Sequence, residues 1–343
     1  MEKIQHSHVE VRGLKLHVAQ IGSGDKVVVF LHGFPEIWYT WRHQLIAVAN
    51  AGYRAIAFDF RGYGLSDQPP EPEKANFNDL VDDVVGLLDS LGINKSGIKP
   101  MVSCHHQEWN AIWVNIDTTD HTYQLAFLIG KDFGAFPAYM VAAVHPERVS
   151  GVLTLGVPFM LPGPSAVQNH LLPQGFYVTR WQEPGRAEAD FGRFDAKAVV
   201  RIIYTLFSGS EVPVAAEDQE IMDLFDPSTP LPPWFSEEDL SVYASLYEKS
   251  GFRFALQVPY RTLNVDGGIT ELIVKAPTLL IMGEKDYVRK FPGTEDYIRS
   301  GAMKHVVPDL EIIFMPEGTH FVQEQLPDQV NEFIITFLGK HSA

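Results

Sequence analysis

Leu125-Ala126-Phe127-Leu128-Ile129-Gly130-Lys131-Asp132-Phe133-Gly134 is the stretch that decides the fold. An apolar run reads as a buried strand, and Gly-x-Asp-x-Gly follows it with the spacing of a nucleophile elbow. In such an elbow a strand turns sharply into a helix. Small flanking residues relieve the backbone, and the central side chain is held exposed at the top of a sheet. Asp132 stands where a serine would be expected, so the nucleophile is already charged and suits attack on an sp3 carbon. Ala135 to Val144 is helix-compatible, and Pro137 about a turn in predicts a late start or a bend.

Working outward, four more apolar runs end in polar or glycine-rich loops. Lys26 to Leu31 runs into His32-Gly33-Phe34-Pro35-Glu36, and Arg54 to Phe58 into Asp59-Phe60-Arg61-Gly62-Tyr63-Gly64. Thr278 to Met282 leads to Gly283-Glu284-Lys285-Asp286, and Glu311 to Met315 to Pro316-Glu317-Gly318-Thr319-His320-Phe321. The order Asp132, Asp286, His320 is that of nucleophile, acid and base in the strand-turn-helix hydrolases, each placed after a strand. Strands alternate with helices, which predicts a mostly parallel sheet covered on both faces. His8 to Ile21 reads as an opening hairpin turning at Arg12-Gly13. The clearest helix runs from about Asn78 to Leu91, with Phe77, Leu80, Val81, Val84, Val85, Leu88 and Leu91 on one face and Gly92 as its stop. Val149 to Val157 is the next strand, and about Gln325 to Leu338 the last helix.

These motifs resemble those of the epoxide hydrolases of the α/β-hydrolase superfamily, most closely the soluble plant enzymes. The expected fold class is therefore α/β, a mostly parallel central sheet flanked by helices with an inserted helical lid. Proline and aromatic residues crowd the chain after Pro158 and no strong strand appears before about Leu263. The expected division is a first core part at 1–158, a lid at 159–263 and a second core part at 264–343. The resemblance implies that Asp132 forms an alkyl ester with an epoxide carbon while Tyr177 and Tyr260 of the lid protonate its oxygen and bind the substrate. A phenol suits this because it stays protonated at neutral pH yet stabilises a developing alkoxide. His320, held by Asp286, would then activate water, and the N–H groups of Phe34 and Phe133 would receive the oxyanion, with Phe34 also against substrate. The resemblance also implies a cis peptide before Pro35. Glu36 either orders a water or is a solvated loop carboxylate.

Composition sets the surroundings. The 343 residues are 45% hydrophobic, enough for a large core. A net charge of −16 disfavours nucleic acid or an anionic membrane as partner. Cys104 is the single cysteine, so no internal disulfide forms and a reducing compartment fits. Met1 to Glu10 lacks an apolar signal region, no run has membrane-spanning length, and the C-terminus is not Ser-Lys-Leu, which together predict a cytoplasmic protein. Cys104-His105-His106-x-Glu108 lacks a second ligand pair, so no metal is expected, and no phosphate-cradling loop implies a cofactor. The partner is then a small-molecule epoxide, with a homodimer left open.

Two departures from the resemblance stand out. Many relatives carry His where Lys131 precedes the nucleophile; a nearby ammonium favours an ionised carboxylate and is compatible with activity. The second is an insert at about 96–125, containing Trp109, Trp113 and the cysteine. It is roughly thirty residues where a short connection is usual. A retained intron, a gene-model artefact and a functional insertion all fit. Two other functions use the same residues: a haloalkane or haloacid dehalogenase, which should show a halide-binding Trp or Asn near the elbow where Phe133 stands, and an inactive isoform disrupted by the insert.

Overall fold

The structure is a computed structural model that describes residues 3–93, 125–160, 171–211, 213–265 and 272–342. Most of the insert expected at about 96–125, with Trp109, Trp113 and Cys104, lies outside these residues.

Arg12 at φ 51° and Gly13 at φ 80° make a two-residue turn whose left-handed backbone matches the twist of a hairpin. It joins β1 (Gln5–Val11) to β2 (Leu14–Ile21) in antiparallel register. The apolar runs then supply β3 (Val27–Leu31), β4 (Arg54–Phe58), β5 (Ala126–Lys131), β6 (Val149–Leu155), β7 (Thr278–Gly283) and β8 (Leu310–Met315). Among the described residues these form one sheet in the order β1-β2-β4-β3-β5-β6-β7-β8. It is antiparallel at β1, β2 and β4 and parallel from β4 through β3 to β8. Burial of β3, β5 and β7 along their whole length explains why their sequences read as continuous apolar runs.

The chain leaves β3 toward β4, then crosses back to place β5 on the other side of β3. Open α/β sheets bind ligands outside the carboxyl ends of strands at such a reversal. Leu31 of β3 pairs with Gly130 of β5, so the loop after β3 lies beside Asp132. Leu155 of β6 pairs with Lys131 of β5, and Gly283 of β7 with Met315 of β8, which brings the other motif loops to the same edge. Ala126, where the chain returns from the insert, starts β5 at the opposite edge.

Helices cover the sheet: α1 (Arg42–Asn50), α2 (Phe77–Ser90) and α3 (Ala135–Val144) precede β6. Between β6 and β7 the described residues form α4 (Tyr177–Gln182), α5 (Arg186–Phe191), α6 (Ala196–Phe207), α7 (Glu237–Ser250) and α8 (Arg253–Leu256), which runs into a wide turn at Gln257–Arg261. α9 (Thr294–Arg299), α10 (Val322–Gln325) and α11 (Pro327–His341) complete the chain.

Three local expectations need correction. Pro137 does not delay α3, which starts at Ala135: it sits in the first turn, where its missing N–H would have had no intrahelical partner. The buried face of α2 takes Leu87 in place of Val85 and Leu91, and also Asp83, whose carboxylate is gripped by Arg61 at 2.6 and 2.5 Å. The last helix starts at Pro327 and ends at His341, a short shift from the expected Gln325 to Leu338, because the proline takes its first turn after the separate α10.

The segment between β6 and β7 is fastened to the core through Glu324, a buried carboxylate four residues after His320. Its Oε1 accepts from Thr40 Oγ1 (2.9 Å), Tyr204 of α6 (2.9 Å) and Tyr243 of α7 (3.1 Å), while Oε2 meets Arg42 at 2.5 Å. Breaking such a buried, fully hydrogen-bonded pair costs about 3–5 kcal/mol, so this side of the segment is fixed.

Candidate active site

The elbow forms because its two glycines have no side chains. A Cβ on Gly130 would lie 2.4 Å from the Gly134 carbonyl oxygen, and one on Gly134 2.3 Å from that of Leu31. Asp132 takes φ 51°, a left-handed backbone that costs a non-glycine residue about 1–2 kcal/mol. Strain of that kind persists where the surroundings hold it, and here it turns a carboxylate up from the end of β5.

Around that carboxylate the loops converge. The Phe34 N–H donates to Asp132 Oδ1 at 3.1 Å, and the Phe133 N–H also bonds the carboxylate. The Phe34–Pro35 peptide is cis. His320 Nε2 lies 3.5 Å from Asp132 Oδ2, and its Nδ1 faces Asp286 at 3.1 and 3.2 Å. Asp286 is held in turn by the Val288 N–H at 2.9 Å. Asp132, Asp286 and His320 are all buried. Burial opposes ionisation of Asp132, but His320 and Lys131 outweigh it and bring the carboxyl below its ordinary range. Burial and the Lys131 ammonium push the His320 imidazole down; Asp286 and Asp132 overcome both and leave it above its ordinary value.

Lys131 has no exposed surface. Its Nζ sits 3.0 Å from His320 Nε2 and 4.0 Å from Glu36 Oε1. An N···N contact of that length holds one donor, so when Lys131 is the ammonium His320 Nε2 presents its lone pair and the imidazole proton is on Nδ1, toward Asp286. Glu36 is fully buried rather than a solvated loop residue. Gln323 Nε2 donates to its Oε1 at 3.2 Å, and Oε2 has no hydrogen-bond partner among the described residues. Burial raises its carboxyl to about 7, against the pull of Lys131 and with the push of Asp132.

Tyr177 and Tyr260 come from the segment between β6 and β7, with ring centroids 6.2 Å apart. Both line, with Asp132, His320 and Phe34, a small chamber over the carboxylate. Burial foremost, with Asp132 adding to it, holds the Tyr177 hydroxyl well above its ordinary value. Burial does the same for Tyr260, reinforced by Tyr177 and Asp132. Both phenols are therefore protonated donors. The residues expected to form the site thus lie in one place: Asp132, Asp286, His320, Tyr177, Tyr260, Phe34 and Phe133.

Sequence reasoning missed Tyr287, whose hydroxyl is 3.4 Å from that of Tyr177 and whose ring lies 4.8 Å from His320. It also missed Gly156, at φ 79°, where a Cβ would meet Asp286 Oδ2 at 3.0 Å, Lys131 Nζ at 3.2 Å and His320 Nδ1 at 3.7 Å. A tyrosine beside the acid and a glycine at a strand end were the available signals, and neither is specific. Among the described residues no group of three or more His, Cys, Asp or Glu is placed to hold a metal, and no helix is long and apolar enough to cross a membrane.

Residues 26–290 match the family model described as the alpha/beta hydrolase fold. Over 99% of the chain, the sequence is 36% identical to all of epoxide hydrolase 2 of Siraitia grosvenorii, and over 96% it is 30% identical to 96% of epoxide hydrolase A of Mycobacterium tuberculosis. The crystal structure of an epoxide hydrolase from Vigna radiata matches 99% of both chains with TM-score 0.81 at 34% identity. Potato epoxide hydrolase I matches 98% of this chain and all of its own with TM-score 0.82 at 32% identity.

Proposed function

Because the chain belongs to the epoxide hydrolases of the α/β-hydrolase fold, we propose that it converts apolar epoxides, lipid epoxides among them, to vicinal diols through an alkyl ester on Asp132. One observation carries the proposal: an ionised aspartate on a left-handed turn faces two backbone N–H groups, a His–Asp pair and two buried phenols at once.

In the first half-reaction an Asp132 oxygen attacks an epoxide carbon and the C–O bond of the ring breaks. The oxygen that leaves gains a proton from Tyr177 or Tyr260, whose hydroxyls remain protonated because burial penalises the phenolate. In the second, His320 takes a proton from water, which adds to the carboxyl carbon of Asp132. The Phe34 and Phe133 N–H groups receive the oxyanion. Its collapse breaks the ester C–O bond, and the imidazolium returns its proton to the departing alkoxide. The regenerated carboxyl returns one to the phenolate, so the diol leaves with one oxygen from Asp132. Asp286 holds the imidazole and offsets its charge. Glu36, buried with one oxygen unpartnered, is suited to orient that water.

The division follows the same reading: a core of 1–158 and 264–343, with 159–263 as a lid carrying the two phenols and 96–125 as an insert. The helices between β6 and β7 support it. A cytoplasmic setting is proposed from the single cysteine. Incubating the protein with styrene oxide and with 1-chlorohexane, and assaying diol and chloride, tests the function. Diol without chloride is expected; chloride without diol would make it a dehalogenase, and neither would mark an inactive form.

A further inference from the structure

We propose that Tyr287 is a positioning residue for the proton transfer: its hydroxyl donates to Tyr177 and makes that phenol the stronger acid of the two above Asp132. This rests on the epoxide hydrolysis proposed above and makes unequal the two donors that share its first step.

Tyr287 stands with Tyr177 and Tyr260 over Asp132, and its hydroxyl lies 3.4 Å from that of Tyr177. Both side chains are buried, and they come from different parts of the chain. Tyr177 opens α4, whereas Tyr287 directly follows the acid Asp286 in the loop after β7. The Val288 N–H donates to Asp286 and fixes the turn that carries Tyr287. The Tyr287 ring packs against His320 at 4.8 Å and against Phe207 at 5.4 Å. Phe207 also meets Tyr177 edge-on at 4.8 Å, so one side chain of α6 sets the spacing of both phenols. Tyr260 has no such support. Its ring neighbours Phe34 and Phe133 carry no side-chain donor, and the Trp181 indole N–H beside it has no partner among the described residues.

Two neutral phenols at 3.4 Å share only a weak hydrogen bond. That changes when Tyr177 gives its proton to the ring oxygen, because its own oxygen then becomes anionic. The single Tyr177 proton is directed to the epoxide, which leaves Tyr287 as the donor between the two. An O–H···O⁻ bond shortens to about 2.5–2.7 Å and is roughly twice as strong as a neutral one. The contact therefore strengthens as the transition state forms, which is the condition for it to accelerate the step. Burial raises the Tyr177 hydroxyl, and Asp132 and Asp286 add to this, while the bond from Tyr287 works against them. Burial also raises Tyr260, and there Tyr177, Asp132, Tyr63 and Tyr247 all push the same way. Tyr287 keeps its own proton, since burial, Tyr177, Asp132 and Asp286 all hold its hydroxyl up.

The test is a double-mutant cycle on ester formation and decay, followed by rapid-quench mass spectrometry with styrene oxide. Tyr287→Phe, Tyr177→Phe and Tyr260→Phe each remove one oxygen and keep the ring, and thermal unfolding checks that each variant is folded. Tyr287→Phe should slow ester formation about 10-fold, the low end for a hydrogen bond to a charged group. Added to Tyr260→Phe it should again cost about 10-fold. Added to Tyr177→Phe it should cost less than about 2-fold, because no oxygen is left to receive the bond. Ester decay should change by less than about 2-fold in Tyr287→Phe, since that step runs through His320. Unchanged ester formation in Tyr287→Phe would overturn the inference and leave epoxide hydrolysis standing. An equal loss in the Tyr177→Phe and Tyr260→Phe backgrounds would also overturn it, because the hydroxyl would then not act through Tyr177. A fall in decay as large as that in formation would do the same, by placing the effect on His320. No ester in the unaltered protein would instead overturn the reading of the function itself.

Discussion

Gly156→Ala puts a methyl group where Asp286, Lys131 and His320 converge, and its cost can be worked from the structure. The backbone at φ 79° charges an alanine about 1–2 kcal/mol, less some 0.4–1 kcal/mol recovered because the unfolded chain is stiffer. That is a net loss of about 1 kcal/mol, or about 1–3 °C in Tm for a chain this long. The new Cβ would then stand 3.0 Å from Asp286 Oδ2 and 3.2 Å from Lys131 Nζ, so both must retreat by a few tenths of an ångström. The retreat lengthens the 3.1 and 3.2 Å contacts that orient the imidazole. A misplacement of 1 Å costs about 100-fold in rate, so a few tenths should slow ester hydrolysis about 3- to 10-fold. Ring opening, which needs Asp132 and the phenols but no oriented imidazole, should fall less. Gly301→Ala is the control: it has φ 81° and nothing within 4 Å of its Cβ, so it pays the backbone cost alone. Rapid-quench mass spectrometry of ester formation and decay, alongside thermal unfolding of both variants, separates the effects. If Gly156→Ala lowers Tm as Gly301→Ala does but leaves ester decay at the wild-type rate, the space at Gly156 is not what positions the His–Asp pair.

Two further outcomes follow from the site. Tyr177→Phe and Tyr260→Phe should each slow ester formation about 10- to 100-fold, within the range for one acid catalyst, with the double variant nearly inactive on epoxides; an unimpaired double variant in the same assay would remove the phenols from the mechanism. Lys131→Met should shift the pH dependence of ester decay. His320 must be neutral to act as base, so decay rises with pH through its titration, and in the ester Asp132 no longer holds the imidazole up. Lys131, which touches His320 and faces Glu36, Asp132, Asp286 and the Phe321 ring, then remains to push it down. Its removal should move the rising limb to higher pH, and a limb that stays in place would mean that Lys131 serves packing alone.

The parts of the fold that were legible are those fixed by local chemistry. Strands buried on both faces show as apolar runs, and Gly130 and Gly134 mark the elbow because any Cβ there would strike backbone. The Arg12-Gly13 turn is equally local. What could not be read depends on residues far apart in sequence. Asp83 interrupts an apolar helix face because Arg61 waits beneath it, and Leu87 is buried where periodicity alone favoured Val85. Glu324 looks like one acidic residue among many until α6 and α7 bring Tyr204 and Tyr243 to it. Tyr177 and Tyr260 entered through family resemblance, since twelve tyrosines offer no local pattern that separates two donors from the rest. Lys131 was legible as a neighbour of the nucleophile, whereas its contact with His320 Nε2 required the register of β5 against β6 and the open space at Gly156.

The claim on which the rest depends is that Asp132 bonds covalently to the substrate and His320 is needed only to release it. The direct measurement is peptide mass spectrometry of the His320→Gln protein quenched during incubation with 1,2-epoxyoctane. The account predicts the mass of the whole epoxide added to the peptide that contains Asp132, accumulating to about one equivalent while diol release stalls. An unmodified Asp132 in a folded variant that still opens the epoxide, or an adduct on another residue, would contradict it.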